Sequence, residues 1–171
     1  MDCWSGPKLV QALQSHGLSP DDIHFCISTH SHIDHLGNNN LFLQAQHIVG
    51  ETIAKRDMYT FHNFREVYPI SSDIGVISTK GHTLTCVSVI LRNSNFGGKT
   101  IGVAGDLFEK MEDIDDPSLW RSAGSESPED QERYRSKIAD MVEKQKTKYF
   151  EHNCVESTKK NILKNWNGIS T

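Results

Sequence analysis

Little in this chain would mark it for a membrane or for the outside of a cell. Its 171 residues include only four cysteines, Cys3, Cys26, Cys86 and Cys154, scattered without a Cys-x-x-Cys pair. That spacing excludes a disulfide framework and fits the reduced thiols of an intracellular protein. No apolar run approaches the ~20 residues needed to cross a bilayer, and no signal-like stretch opens the chain. The expected place is therefore the cytoplasm, with the nucleus as a further compartment. Internal repeats and low-complexity tracts are absent, which excludes a repeat architecture. Positive charge is scarce as well: 18 Lys and Arg against 22 Asp and Glu leave a net charge of -4. No basic stripe with interleaved aromatics is present, so the footprint of a long nucleic-acid tract is missing. The hydrophobic fraction is 36% and the mean hydropathy -0.50, lean for a globular chain. The length still fits one domain that buries a core.

What the chain does carry is a run of metal-ligand side chains. Thr29-His30-Ser31-His32-Ile33-Asp34-His35-Leu36-Gly37 puts three imidazoles and a carboxylate within six residues. These supply the nitrogen and oxygen donors that zinc and similar first-row metals take. Residues 23–28, just before, are apolar and rich in β-branched and aromatic types, and read as a buried strand. The cluster then sits at a strand's carboxyl end, where open α/β sheets build their sites. In an extended loop His30 and His32 point to one side by the two-residue period. Asp34 and His35 turn toward a second point if a short helix starts at 36–38. Two pairs aimed at neighbouring points predict two metals. The competing reading of the run is a polar, His-rich surface turn.

Thr-His-Ser-His-Ile-Asp-His-Leu-Gly-Asn resembles the signature of the metallo-β-lactamase superfamily, and later landmarks follow in that family's order. Gly81-His82-Thr83 resembles its third motif and Gly105-Asp106 its fourth. Asp2-Cys3 resembles the tail of the first, an Asp that supports the site from behind. Asn38-Asn39-Asn40-Leu41-Phe42, Ala104-Gly105-Asp106-Leu107-Phe108-Glu109, and Trp120 followed by Gln131-Glu132-Arg133 resemble one branch in particular. The likeness runs from residue 2 to about 144.

The resemblance implies an α/β fold, the four-layer αββα sandwich in which two sheets pack face to face between outer helices. It implies a single domain over 1–171, with 153–171 as a divergent tail. It also implies that the opening strands of the first sheet, which precede the first motif in the family, are missing here. Their loss would leave an unpaired edge, to be covered by a homodimer or another partner. Carried over by position, His30, His32 and His82 would hold one metal, Asp34 and His35 the other, with Asp106 bridging. A fifth motif, usually Pro-Gly-His-Gly, adds one His to the second metal. Here Phe150-Glu151-His152-Asn153 offers His152 without the glycines that permit a tight turn. The alternative for His152 is an ordinary His near a helix start.

Along the rest of the chain, a helix is expected over 7–16 and strands over 47–50, 74–78, 84–91 and 100–104. Residues 93–98 read as a hairpin loop, and 111–128 as an acidic, Ser/Gly-rich loop over the site. Ser127 caps a helix through about 146, with Pro128 at its first position. Residues 157–166 read as a short basic helix whose Lys159, Lys160 and Lys164 suit a solvated face better than a phosphate contact. His62, beside Phe61 and Phe64, could line a cleft, although a surface aromatic patch is the plainer reading. Trp120 and Asp115-Asp116 are candidates to touch substrate, and Cys154 to reach a metal. His16, His24 and His47 read as structural or solvated.

Two divalent metals, zinc first and iron or manganese as alternatives, imply hydrolysis with a metal-held hydroxide as nucleophile and Asp34 essential to it. The resembling branch implies an endoribonuclease acting on histone pre-messenger RNA. The net charge speaks against a long RNA tract but allows contact with one scissile phosphate, and the enzyme alternative is a small-molecule ester or thioester hydrolase of the glyoxalase II kind. A reading of another class keeps the chain as a non-catalytic metal-binding or regulatory form.

Overall fold

The computed structural model describes residues 5–93 and 98–143. The helix expected near the start is α1, Gly6–Ser15, with Pro7 in its first turn. Leu9, Val10 and Leu13 form its half-buried side, and no residue of the helix is fully buried. Next come β1 (Phe25–Ser28), the one-turn helix α2 (Ile33–Leu36), then β2 (Gln46–Val49), β3 (Thr52–Lys55) and β4 (Met58–Thr60). These strands make one sheet in the order β1-β2-β3-β4. β1 and β2 are parallel, so the chain must cross over between them, and that crossover carries the His-rich run. The remaining pairs in this sheet are antiparallel.

The second sheet takes β5 (Tyr68–Pro69), β6 (Ile74–Ser78), β7 (Val87–Asn93) and β8 (Lys99–Val103), all antiparallel in chain order. Two helices follow, the short α3 (Pro117–Ser122) and the longer α4 (Pro128–Glu143). β6 reads as nearly continuous burial because both of its faces are covered. Val76 joins Ile48, Ile53, Phe64 and Val87 in the layer shared with the first sheet. Ile77, one position on, joins Ile90, Ala104, Ile138 and Val142 in the layer under α4. A strand's two-residue period thus feeds two cores at once.

Four expectations need correcting. The short helix begins at Ile33 rather than at 36–38: His32 stays extended, with ψ 146°, and Asp34 takes the first turn, where a carboxylate suits the helix dipole. β7 begins at Val87 rather than at 84, because the chain turns through Thr83–Cys86 and Leu84 N donates to Glu126 Oε2 at 2.6 Å. Residues 111–128 are not one loop. Met111–Ile114 forms a 3-10 turn, and Asp116 caps α3 by accepting from Ser118 N at 3.0 Å, with Pro117 at the first position. Trp120 on α3 is fully buried, so it touches the core and not a substrate. The expectations for Asp2-Cys3, the hairpin tip, His152, Cys154, the 153–171 tail and the 157–166 helix lie outside the described residues.

Candidate metal centre

Three chain segments converge where β1, β6 and β8 end. β1 delivers Thr29 and His30, α2 delivers Asp34 and His35, the turn after β6 delivers His82, and the turn after β8 delivers Asp106. Thr29 ties the first to the second sheet, since Val87 N donates to its carbonyl at 2.8 Å. Gly105, at φ +54°, brings the third segment against it. A Cβ there would sit 2.2 Å from Thr29 Oγ1, so only glycine allows the approach.

At the centre, His32 Nδ1 lies 2.9 Å from His30 Nε2 and 3.0 Å from His82 Nε2. Asp106 Oδ2 is 3.5 Å from both Nε2 atoms. Ligand atoms of these four residues all fall within 4.8 Å of one another. Two ligands each ~2.0–2.1 Å from a tetrahedral zinc stand about 3.3 Å apart, so the observed spacings match a shared cation. The ring tautomers agree. His82 Nδ1 faces the Gly124 carbonyl at 3.3 Å, and a carbonyl only accepts, so Nδ1 bears a hydrogen and Nε2 is the atom turned to the cluster. His30 Nδ1 has Thr29 Oγ1 at 3.2 Å to play the same part. Burial first, and the neighbouring His35 next, push His30 down to about 3. Its ring is therefore neutral at pH 7, the form that binds metal.

A second focus lies beside the first. His35 Nε2 stands 3.3 Å from Asp106 Oδ1 and 3.3 Å from Asp34 Oδ2. His35 is almost enclosed, whereas the Asp34 side chain is 61% exposed. The two oxygens of Asp106 are thus divided, Oδ2 toward His30 and His82, Oδ1 toward His35. Ser28 Oγ donates to the His35 carbonyl at 3.2 Å and accepts from Asn39 Nδ2 at 3.0 Å, which pins α2 to the end of β1.

Six of the seven metal-ligand candidates therefore meet at one place: His30, His32, Asp34, His35, His82 and Asp106. Among the other candidates, His62 stacks edge-on against Phe64 at 4.8 Å and Tyr68 at 5.0 Å, as an aromatic patch would have it. Asp115 and Asp116 are exposed, and the Asp116 carboxyl is engaged in capping α3. The reading from sequence missed the supports of the site. Residues 124–127 strap the segment after β6: Ser125 Oγ and Ser127 N both donate to the Gly81 carbonyl at 2.9 Å, and Glu126 N donates to the His82 carbonyl at 3.2 Å. Gly124, at φ +101°, was the one signal of a special turn there.

The family profile for the metallo-beta-lactamase superfamily matches residues 3–87, which include five of the six assembled candidates. The chain belongs to the metallo-β-lactamase superfamily, and its two sheets and helices are those of that fold. Among curated proteins it is similar to metallo-beta-lactamase domain-containing protein 1 of Xenopus laevis, 38% identical over 146 residues, 81% of this chain and 60% of that protein. The Homo sapiens protein of the same name is 35% identical over 146 residues, 81% of this chain and 53% of its own length. The chain thus spans somewhat over half the length of these relatives. Among solved structures, an N-acyl homoserine lactone hydrolase with its product at the catalytic metal centre superposes with a TM-score of 0.62. It is 21% identical and covers 84% of this chain and 60% of its own; that likeness concerns the fold.

Proposed function

We propose that this chain is a metal-dependent hydrolase with a dinuclear centre. The observation that carries the reading is the division of Asp106, one oxygen toward His30 and His82 and the other toward His35, which Asp34 also approaches. His30, His32 and His82 would hold one divalent cation, Asp34 and His35 the other, and Asp106 would serve both. The donor set of imidazole and carboxylate suits zinc, and also iron or manganese. When bound, two such ions acidify a water and polarise the bond to be cleaved. The protein's own part is to bury His30 as a neutral ring, to hold the His82 ring through its Nδ1 contact with the Gly124 carbonyl, and to leave Asp34 open to solvent where substrate arrives.

RNA is the first substrate to test, on the likeness to metallo-beta-lactamase domain-containing protein 1 and the ribonuclease role that resemblance implies. A small ester or thioester is the second, and the rim of the site favours it. Ile33 is 82% exposed between two candidate ligands, Leu84 is 53% exposed two residues after His82, and the nearby Lys80 is engaged by Glu51 at 3.3 Å. An apolar rim suits an acyl chain better than a polyanion. Elemental analysis of the purified chain, followed by hydrolysis assays on RNA and on thioesters, tests the reading. Two metals per chain and turnover that disappears in His82→Ala are expected. A chain without metal, or a His82→Ala variant of full activity, would overturn it.

A further inference from the structure

The metal centre is braced from behind by α4, at Gln131 and again one turn later at Arg135. Gln131 is fully buried. Its Nε2 donates to the main-chain carbonyl of Asp106 at 3.2 Å. Because that carbonyl only accepts, the orientation of the amide is settled. The backbone of the same residue lies against Gly81: a Cβ added to Gly81 would stand 2.3 Å from Gln131 Cα. Gln131 thus touches both segments that carry the far ligands, the Gly81-His82 turn and the Gly105-Asp106 turn. Arg135 repeats the grip, with Nη1 donating to the Leu107 carbonyl at 2.6 Å and Nη2 to Asp113 Oδ1 at 2.7 Å.

From this we infer that Gln131 is a positioning residue, which sets the separation of His82 and Asp106 and through it the affinity of the centre for its cations. The inference rests on the dinuclear reading above. It is strengthened by the other half of the amide. Gln131 Oε1 is buried with no hydrogen-bond partner among the described residues. An unsatisfied buried oxygen costs folding free energy; an apolar side chain of equal length would remove that cost but take the Nε2 donor from the Asp106 carbonyl, so the two changes offset in stability. What Gln131 does for the site, rather than for stability, accounts for an amide at this place.

The test uses the whole chain with Gln131→Met, of similar length and without polar atoms, and Gln131→Glu, which replaces the donor by an acceptor. Zinc affinity is read by competition with a chromophoric chelator, and stability by urea unfolding of the metal-stripped proteins. Both variants should bind zinc at least tenfold more weakly, while metal-stripped Gln131→Met unfolds at the same urea concentration as the parent or higher. Unchanged zinc affinity in either variant would overturn the inference and leave the dinuclear reading intact. Weaker binding accompanied by a lower urea midpoint in Gln131→Met would also overturn it, since an ordinary packing role predicts that pair. A parent that binds no zinc would sink the dinuclear reading and this inference together.

Discussion

Single side chains separate function from stability most sharply at Asp34. Its carboxylate lies 3.3 Å from His35 Nε2 yet is mostly in solvent, so the core does not depend on it. Exposed substitutions of this kind stay within about ±0.5 kcal/mol of the parent. Asp34→Ala should therefore keep the thermal midpoint of the metal-stripped protein, while the loaded protein loses one metal and at least ~100-fold of turnover. Parallel calorimetry and kinetics on the variant check both halves. The two described cysteines make a different test. Burial pushes the Cys26 thiol up to about 11 and raises Cys86 as well. Alkylation needs the thiolate, and a group whose folded pKa is raised stays protonated until the pH climbs toward that value. At pH 8, Cys26 should react about 100-fold more slowly in the folded protein than in urea, and Cys86 more slowly too. Iodoacetamide labelling read by peptide mapping gives the comparison, and equal rates would contradict the burial.

Elements bring the sequence reading and the structure together unevenly. β6 was legible to the residue, because Ile74–Ser78 is an apolar run set between Ser71-Ser72-Asp73 and the Lys80-Gly81 turn. The near ligands were legible because they form one local motif. The tendency of 111–122 to fold was not, since its apolar signal is confined to a few residues such as Ile114, Leu119 and Trp120 among acidic and small ones. The braces of the site were equally hidden. Gln131, Ser125, Ser127 and Arg135 act on main-chain carbonyls, which every residue possesses, so no pattern of side-chain types announces them. Turn geometry supplies a prediction at this scale. In Gly105→Ala the new methyl meets Thr29 and strains a positive φ. A loss of at least ~2 kcal/mol is expected from such a site, together with weaker metal binding, because His30 follows Thr29. Urea unfolding and zinc titration of that variant measure the two effects.

At the scale of the whole molecule, the first sheet and its following helix offer His30, His32, Asp34 and His35, while the second offers His82 and Asp106. A cation that holds both sets should clamp the sheets together. Bound at 100 times its dissociation constant, a ligand of the native state adds about 2.7 kcal/mol. Chelation with EDTA is expected to lower the thermal midpoint and added zinc to restore it, as differential scanning calorimetry would record; a midpoint indifferent to EDTA would mean that the ligands are not shared. The same division dictates an order of events during maturation. Neither set is complete until the sheets have met, so loading belongs at the end of folding. The His30–His35 run, however, is contiguous and can chelate a cation on the nascent chain. Metal supplied too early would then be captured by four neighbours before His82 and Asp106 arrive, and would have to be released again. Refolding in zinc from the start should consequently be slower than refolding first and adding zinc afterwards.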